Sequence, residues 1–239
     1  MTESLSAERV QELTELSRRL GVAFSNLTLL HQALTHTSYA YEAKTKKIIH
    51  NERLEFLGDA VLELASSTYL YAHFPKLPEG VLTKARASVV CEASLARRAS
   101  ELGLGDHLQL GHGEAAAGGA HRPSILADAF EAVIGAIYLD AGWQTALDYV
   151  LAQLKEELRE IDRGQNLQDY KTLLQEYVQR KANQTIAYEL ISASGPDHAK
   201  VFELAVRIND VRCGVGMGKT KKQAEQLAAR EALEKLKKK

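Results

Sequence analysis

Glu52, Glu55 and Asp59 stand three and four residues apart in the run Asn51-Glu52-Arg53-Leu54-Glu55-Phe56-Leu57-Gly58-Asp59-Ala60-Val61-Leu62. On a helix that spacing puts the three carboxylates on one stripe. Leu54, Leu57, Val61 and Leu62 would occupy the rest of the surface, so the run reads as a helix buried on most sides. No Lys or Arg stands four residues from Glu55 or Asp59, whose neighbours at that spacing are each other and Glu63. Like charges so placed cost about 0.2–0.5 kcal/mol per pair. A second apolar run, residues 124–140, carries Asp128 and Glu131 as its only acids before Asp140, again three apart and again without a basic i±4 neighbour. Two such helices facing across a bundle would enclose a site for a hard cation such as Mg²⁺, which takes carboxylate, water and phosphate oxygens. The competing reading is a solvated acidic face, but solvated faces interleave both signs and these stripes do not.

The elements that must position these acids are helical. Residues 4–20 repeat Leu13, Leu16 and Leu20 at helical spacing and end at Gly21. A short helix starts near Asn26, the acidic helix runs over 51–73 to Pro75, and 80–102 reads as one helix closing at Gly103. Residues 104–123, rich in glycine, read as a mobile loop; the second acidic helix follows and stops at Gly142, and 144–161 is one more amphipathic helix. The polar stretch 162–168 reads as a flexible linker. Beyond it the pattern changes. A helix over 170–181 is followed by period-two alternation over 185–193, 201–208 and 211–217, joined by Gly195-Pro196-Asp197-His198 and Asn209-Asp210, and by a closing helix over 219–236. The expected domains are therefore 1–161, all α, and 169–239, a small α+β unit of order α-β-β-β-α.

Composition agrees with two tasks. The chain has 239 residues, 45% hydrophobic and 26% charged, and a net charge of −1. Residues 1–168 hold 16 Lys+Arg against 22 Asp+Glu, while 169–239 hold 14 against 9, so an acidic front half precedes a basic back half suited to a polyanion. Cys91 and Cys213 form no metal-spaced pair and no disulfide framework, which fits a reducing compartment. No run of 18 apolar residues and no signal-like leader is present, so a soluble cytoplasmic protein without membrane partners is expected.

Residues 51–62 closely resemble the signature of the ribonuclease III endonuclease domain. Ala33-Leu34-Thr35-His36-Thr37-Ser38-Tyr39, Gly111-His112-Gly113-Glu114 and Ala127-Asp128-Ala129-Phe130-Glu131-Ala132 are similar to further blocks of that family. Residues 169–236 resemble a double-stranded RNA-binding domain, and the likeness covers nearly the whole chain in the order of the bacterial enzymes. The resemblance implies a Mg²⁺-dependent endoribonuclease, with Mn²⁺ a candidate substitute, that hydrolyses double-stranded RNA to 5′-phosphate and 3′-hydroxyl ends. It implies a homodimer formed through the endonuclease domain and structured substrates such as ribosomal and messenger precursors. By motif position Glu55, Asp128 and Glu131 would ligate the metal, and the chemistry would fail without Asp59 and Glu131. Glu52 and Glu79 fall where the family often has a glutamate near the metal or facing RNA, and Phe56 where it places an aromatic at the dimer contact. The alternative is a non-catalytic RNA-binding protein that keeps the nuclease fold as a dimer scaffold; it would be expected to lose some of the acids, and all four are present.

In the second domain Thr172, Gln175, Glu176 and Gln179 form a polar stripe suited to the wide minor groove of A-form RNA, and His198 in a turn would reach a neighbouring groove. Lys219, Lys221 and Lys222 crowd a helix N-terminus, where the macrodipole disfavours cations. A docked phosphate would reverse that. Two departures stand out: Arg122 takes the basic role expected directly after Gly118-Gly119, and Thr220 replaces a more usual serine. Gly216-Met217-Gly218-Lys219-Thr220 imitates a phosphate-binding loop but has Cys213 where that motif needs glycine. His36 reads as a packed or capping residue, not a ligand.

Overall fold

The computed structural model describes residues 5–43, 48–162, 170–179, 184–196 and 200–237. The chain divides into two compact units, residues 1–163 and 164–239. The first unit is helical: α1 Ala7–Leu20, α2 Leu27–Ala33, α3 Thr37–Glu42, α4 Glu52–His73, α5 Glu79–Val89, α6 Glu92–Glu101, α7 His112–Ala116, α8 Pro123–Gln153 and α9 Lys155–Asp162. Ser6 caps α1 by accepting from Arg9 N–H at 3.2 Å, and Gly21 ends it in the left-handed region with φ 72°. At the centre lies α8, where Ala127, Phe130, Val133, Ile134 and Ile137 are buried. Its main partner, α4, presents Leu54, Gly58, Val61, Leu62 and Ala65 to it.

Four sequence expectations are corrected. Helix α4 is not buried on most sides, because Phe56, Leu64 and Tyr71 are 79%, 56% and 78% exposed on one face. The stretch 80–102 is two helices, parted at Val90-Cys91 where Cys91 turns extended to start α6. Gly142, at φ 80° and ψ −179°, is non-helical and parts the second acidic helix from the one after it, as expected, but that following helix breaks at Leu154 instead of running on through residue 161. The glycine-rich stretch after Gly103 is no open loop. It forms α7 and two 3₁₀ turns, Leu104–His107 and Gly119–His121. Backbone bonds hold it, His36 N–H to Gln109 O at 3.0 Å and Gln109 N–H to Leu34 O at 2.8 Å, together with a 2.7 Å Arg122–Glu114 ion pair. Arg122 is thereby spent on a local contact.

The second unit comprises α10 Tyr170–Gln179, β1 Ile186–Ser194, β2 Val201–Ile208, β3 Val211–Gly218 and α11 Lys221–Lys237. Its antiparallel sheet has the order β1-β2-β3. Asn209 and Asp210, at φ 46° and 64°, make the tight turn between β2 and β3 that matches strand twist. Leu174 and Val178 of α10, Val206 and Ile208 of β2, and Ala228, Ala229, Ala232 and Leu233 of α11 form the core. The linker expected at 162–168 lies, from residue 163 on, outside the described residues.

Candidate active site

Each helix that carries the acids also carries a glycine at the point of crossing. A Cβ on Gly58 would fall 1.8 Å from Glu131 O, and one on Gly135 would fall 2.3 Å from Leu54 O. Only hydrogen at these positions lets the two backbones touch. Gly58 lies between Glu55 and Asp59, and Gly135 is one turn beyond Glu131, so the crossing brings both acid pairs toward a common space. Neither glycine was singled out from sequence; the available signal was a glycine inside each of two otherwise apolar helical runs.

The electrostatics show how near the acids are. Burial, then Asp59, Glu55 and Asp128, push the Glu131 carboxyl up to about 8. Glu55 is raised by burial and then by Asp128, Glu52 and Asp59. Asp128 is raised chiefly by burial, with His36 pulling it down and Glu92 pushing it up. Asp59 is exposed. Neither lysine nor arginine is among the influences on Glu55, Asp128 and Glu131. Nor are three or more Asp, Glu, His or Cys side chains among the described residues drawn tightly enough together to ligate an ion as they stand. The four acids share a space at electrostatic range. Their donor set consists entirely of hard carboxylate oxygens, with His36 the one opposing influence among the described residues, so it fits a divalent hard cation. Without such an ion, burial and like charge are met by proton uptake, as at Glu131.

An open cleft of about 400 Å³ adjoins them, lined by His36, Thr37, Asn51, Glu52, Glu55 and Asp128. His36 is the N-cap of α3, its Nδ1 accepting from Ser38 N–H at 3.2 Å. Glu52 is thus a wall of the cleft. Glu79 is not: it opens α5, and its Oε1 accepts from Thr83 Oγ1 at 2.7 Å. Thr37, Asn51 and Glu92 were not anticipated beside the acids. Asn51 was legible as the first residue of the 51–62 signature, without a role of its own.

In the second unit Thr172, Gln175, Glu176 and Gln179 are all exposed along α10, opposite Leu174 and Val178. Lys219, Lys221 and Lys222 are exposed at the start of α11. That end is capped reciprocally, Thr220 Oγ1 accepting from Gln223 N–H at 3.1 Å and Gln223 Oε1 from Lys219 N–H at 2.9 Å. His198 lies outside the described residues, as do Lys238 and Lys239.

A helical unit with an acidic helix crossing, followed by an α-β-β-β-α unit with a lysine-rich helix start, defines a hydrolytic nuclease joined to a nucleic-acid-binding module. Residues 26–158 match the ribonuclease-III-like family and 170–236 the double-stranded RNA binding motif. Ribonuclease 3 of Pelotomaculum thermopropionicum is 50% identical, over 93% of this chain and 92% of its own length. That of Caldanaerobacter subterraneus subsp. tengcongensis is also 50% identical, over 94% and 98%. Among solved structures, the nuclease domain of ribonuclease III from Campylobacter jejuni is 44% identical with a TM-score of 0.56, covering 61% of this chain and 97% of that one. The chain belongs to the ribonuclease III family and is a double-stranded-RNA-specific endoribonuclease.

Proposed function

We propose that the protein hydrolyses phosphodiester bonds of double-stranded RNA in a Mg²⁺-dependent reaction, with Mn²⁺ able to substitute, leaving 5′-phosphate and 3′-hydroxyl ends. The observation that carries this reading is the backbone contact of α4 and α8 at Gly58 and Glu131, which brings the acid-bearing stretches of both helices together. Glu55, Asp128 and Glu131 would hold the ion. Mg²⁺ supplies activation of water and neutralisation of charge at the phosphate and the leaving 3′-oxygen. Asp59, the exposed acid of the set, orients water at the open side. Thr172, Gln175, Glu176, Gln179 and the lysines at the start of α11 hold the duplex by its grooves and phosphates.

The exposed face of α4 supports a homodimer. Phe56, Leu64 and Tyr71 lie on one side of the helix, next to the acidic stripe, and a soluble protein rarely leaves three large apolar side chains uncovered in a row. The Campylobacter jejuni nuclease domain likewise has a region involved in dimer formation. Two subunits joined there would each bring one acid cluster to a duplex and cut both strands. Structured precursors of ribosomal and messenger RNA in the cytoplasm are the substrates this reading assigns. Among the described residues no helix is long and apolar enough to cross a membrane.

The test is incubation with long duplex RNA in Mg²⁺ and in EDTA, with end mapping of the products. Cleavage only with the metal, and labelling of the 5′ ends only after phosphatase treatment, is the expected result. A gel shift with intact RNA in both tubes would leave only a binding protein.

A further inference from the structure

The cleft beside the acids holds hydrogen-bond donors that ion binding does not use. Asn51 occupies the position before α4 where asparagine ordinarily turns its side-chain oxygen onto the helix's first N–H groups. It does not do so here: its backbone is helical, at φ −83° and ψ −18°, and its side chain makes no capping bond. Its main chain is fully employed without the side chain, N–H donating to Thr35 O at 2.9 Å and C=O accepting from Leu54 and Glu55 N–H at 2.8 and 2.9 Å. The residue is 2% exposed, lines the cleft, and its Nδ2 has no partner among the described residues. Thr37 Oγ1, a second wall of the same cleft, is also buried without a partner among them. Buried donors are paired in native proteins unless something else satisfies them.

The surroundings narrow what that is. Glu52, Glu55 and Asp128 share the cleft with Asn51. A phosphate oxygen would go to the ion that the acids hold, in preference to a neutral amide. A water held on that ion is a strong donor and a poor acceptor, so it pairs with the carboxylates in preference to an amide donor. A ribose 2′-hydroxyl is neutral, accepts from the amide and donates to a carboxylate, and it distinguishes RNA from DNA.

We propose that Asn51 Nδ2, supported by Thr37, donates to the oxygen of a substrate 2′-hydroxyl in this cleft, and that the hydroxyl in turn donates to Glu52, so that the nuclease unit itself tests for RNA beside the cut site. Asn51 is then a specificity residue that touches substrate. The inference rests on the reading above, in which the cleft receives a duplex RNA strand.

The experiment is single-turnover cleavage of a short RNA duplex, all-RNA or with one 2′-deoxy nucleotide at each position around the cut in turn. It uses the full chain and the variants Asn51→Ala and Thr37→Val, the latter nearly isosteric. The wild type is expected to lose about tenfold at one position per strand, roughly the effect of one good hydrogen bond. Asn51→Ala is expected to be slower on the all-RNA duplex and to show no further loss at that position, while penalties at other positions persist. Thr37→Val shows the same pattern more weakly. A purely structural defect would slow every duplex by the same factor and leave the position-specific penalty in place in both variants, which overturns the inference. Failure of the wild type to cut the all-RNA duplex in Mg²⁺ overturns the underlying reading instead.

Discussion

A Cβ on Gly58 would lie 1.8 Å from the carbonyl oxygen of Glu131, so α4 and α8 cross backbone against backbone between two acids of one helix and at an acid of the other. The clash is with main chain, which has no rotamer to relieve it. Gly58→Ala is therefore expected to destabilise the nuclease unit by about 3 kcal/mol, the upper end for an overpacked core. Cleavage should fall even where the fold survives, because the acid pairs move apart. Thermal melts with a cleavage assay below the melting point check both; an unchanged melt would mean that the helices do not touch here.

Glu131 is a half-buried carboxyl pushed up to about 8, so the metal-free fold must take up a proton there at neutral pH, and a neutral amide should help that fold while harming function. Glu131→Gln is expected to melt higher than the wild type in EDTA and to lose the rise in melting temperature that Mg²⁺ gives the wild type. Asp59→Asn, at an exposed position, should keep duplex binding and lose cleavage. Parallel loss of binding and cutting would refute the division of labour between the two units.

Lys221 and Lys222 are exposed in the first turn of α11. Lys221→Ala with Lys222→Ala should weaken duplex binding and reduce the slope of log affinity against log salt by about 1 per lysine. Binding isotherms at several salt concentrations measure it. An unchanged slope would remove these lysines from the phosphate contacts.

Phe56 is 79% exposed on the apolar face of α4. Phe56→Glu should shift the protein toward monomer in sedimentation experiments without lowering its monomer stability. A dimer of undiminished strength would place the contact elsewhere.

Glu157 ties α9 to α6, accepting from Arg97, from Arg98 Nη2 at 3.1 Å and from Ser94 Oγ at 3.2 Å. Burial alone would raise its carboxyl, but its own backbone N–H and the two arginines outweigh that and hold it below the ordinary value of 4.5. The unfolded chain then takes up the proton first as pH falls, so this stabilisation is complete above 4.5 and lost through the lower folded value. Glu157→Gln should cost about 1 kcal/mol at neutral pH, allowing for partial solvent access. The gap should close in melts at progressively lower pH. A constant gap down to acid would show that the carboxylate's charge plays no part.

Much of the helical and strand order was legible because periodicity reports local burial. Leu13-Leu16-Leu20 and the turn Asn209-Asp210 each depend on neighbours close in sequence. The acids were legible too, since unbalanced charges on an apolar helix are costly wherever they occur. What misled was the inference from apolar to buried. The acidic helix read as buried on most sides, yet Phe56, Leu64 and Tyr71 face outward, Phe56 at the position where the family resemblance implies a dimer contact. Glycine was read correctly at Gly142, which interrupts the helical path, but misled after Gly103, where the glycines sit in a stretch held by Gln109 and Arg122.

The sequence alone determined that two helices carry uncompensated carboxylates on single stripes, and that a basic α-β-β-β-α unit follows them. Only the tertiary structure decided that Gly58 meets Glu131, that burial and three neighbouring acids raise the proton affinity of Glu131, and that Asn51, buried and with its Nδ2 unpartnered among the described residues, lines the cleft beside them. The reason is physical. Stripe and charge are properties of one helix and are set by spacing, whereas distance between helices and the partnering of a buried donor depend on contacts between residues some eighty positions apart.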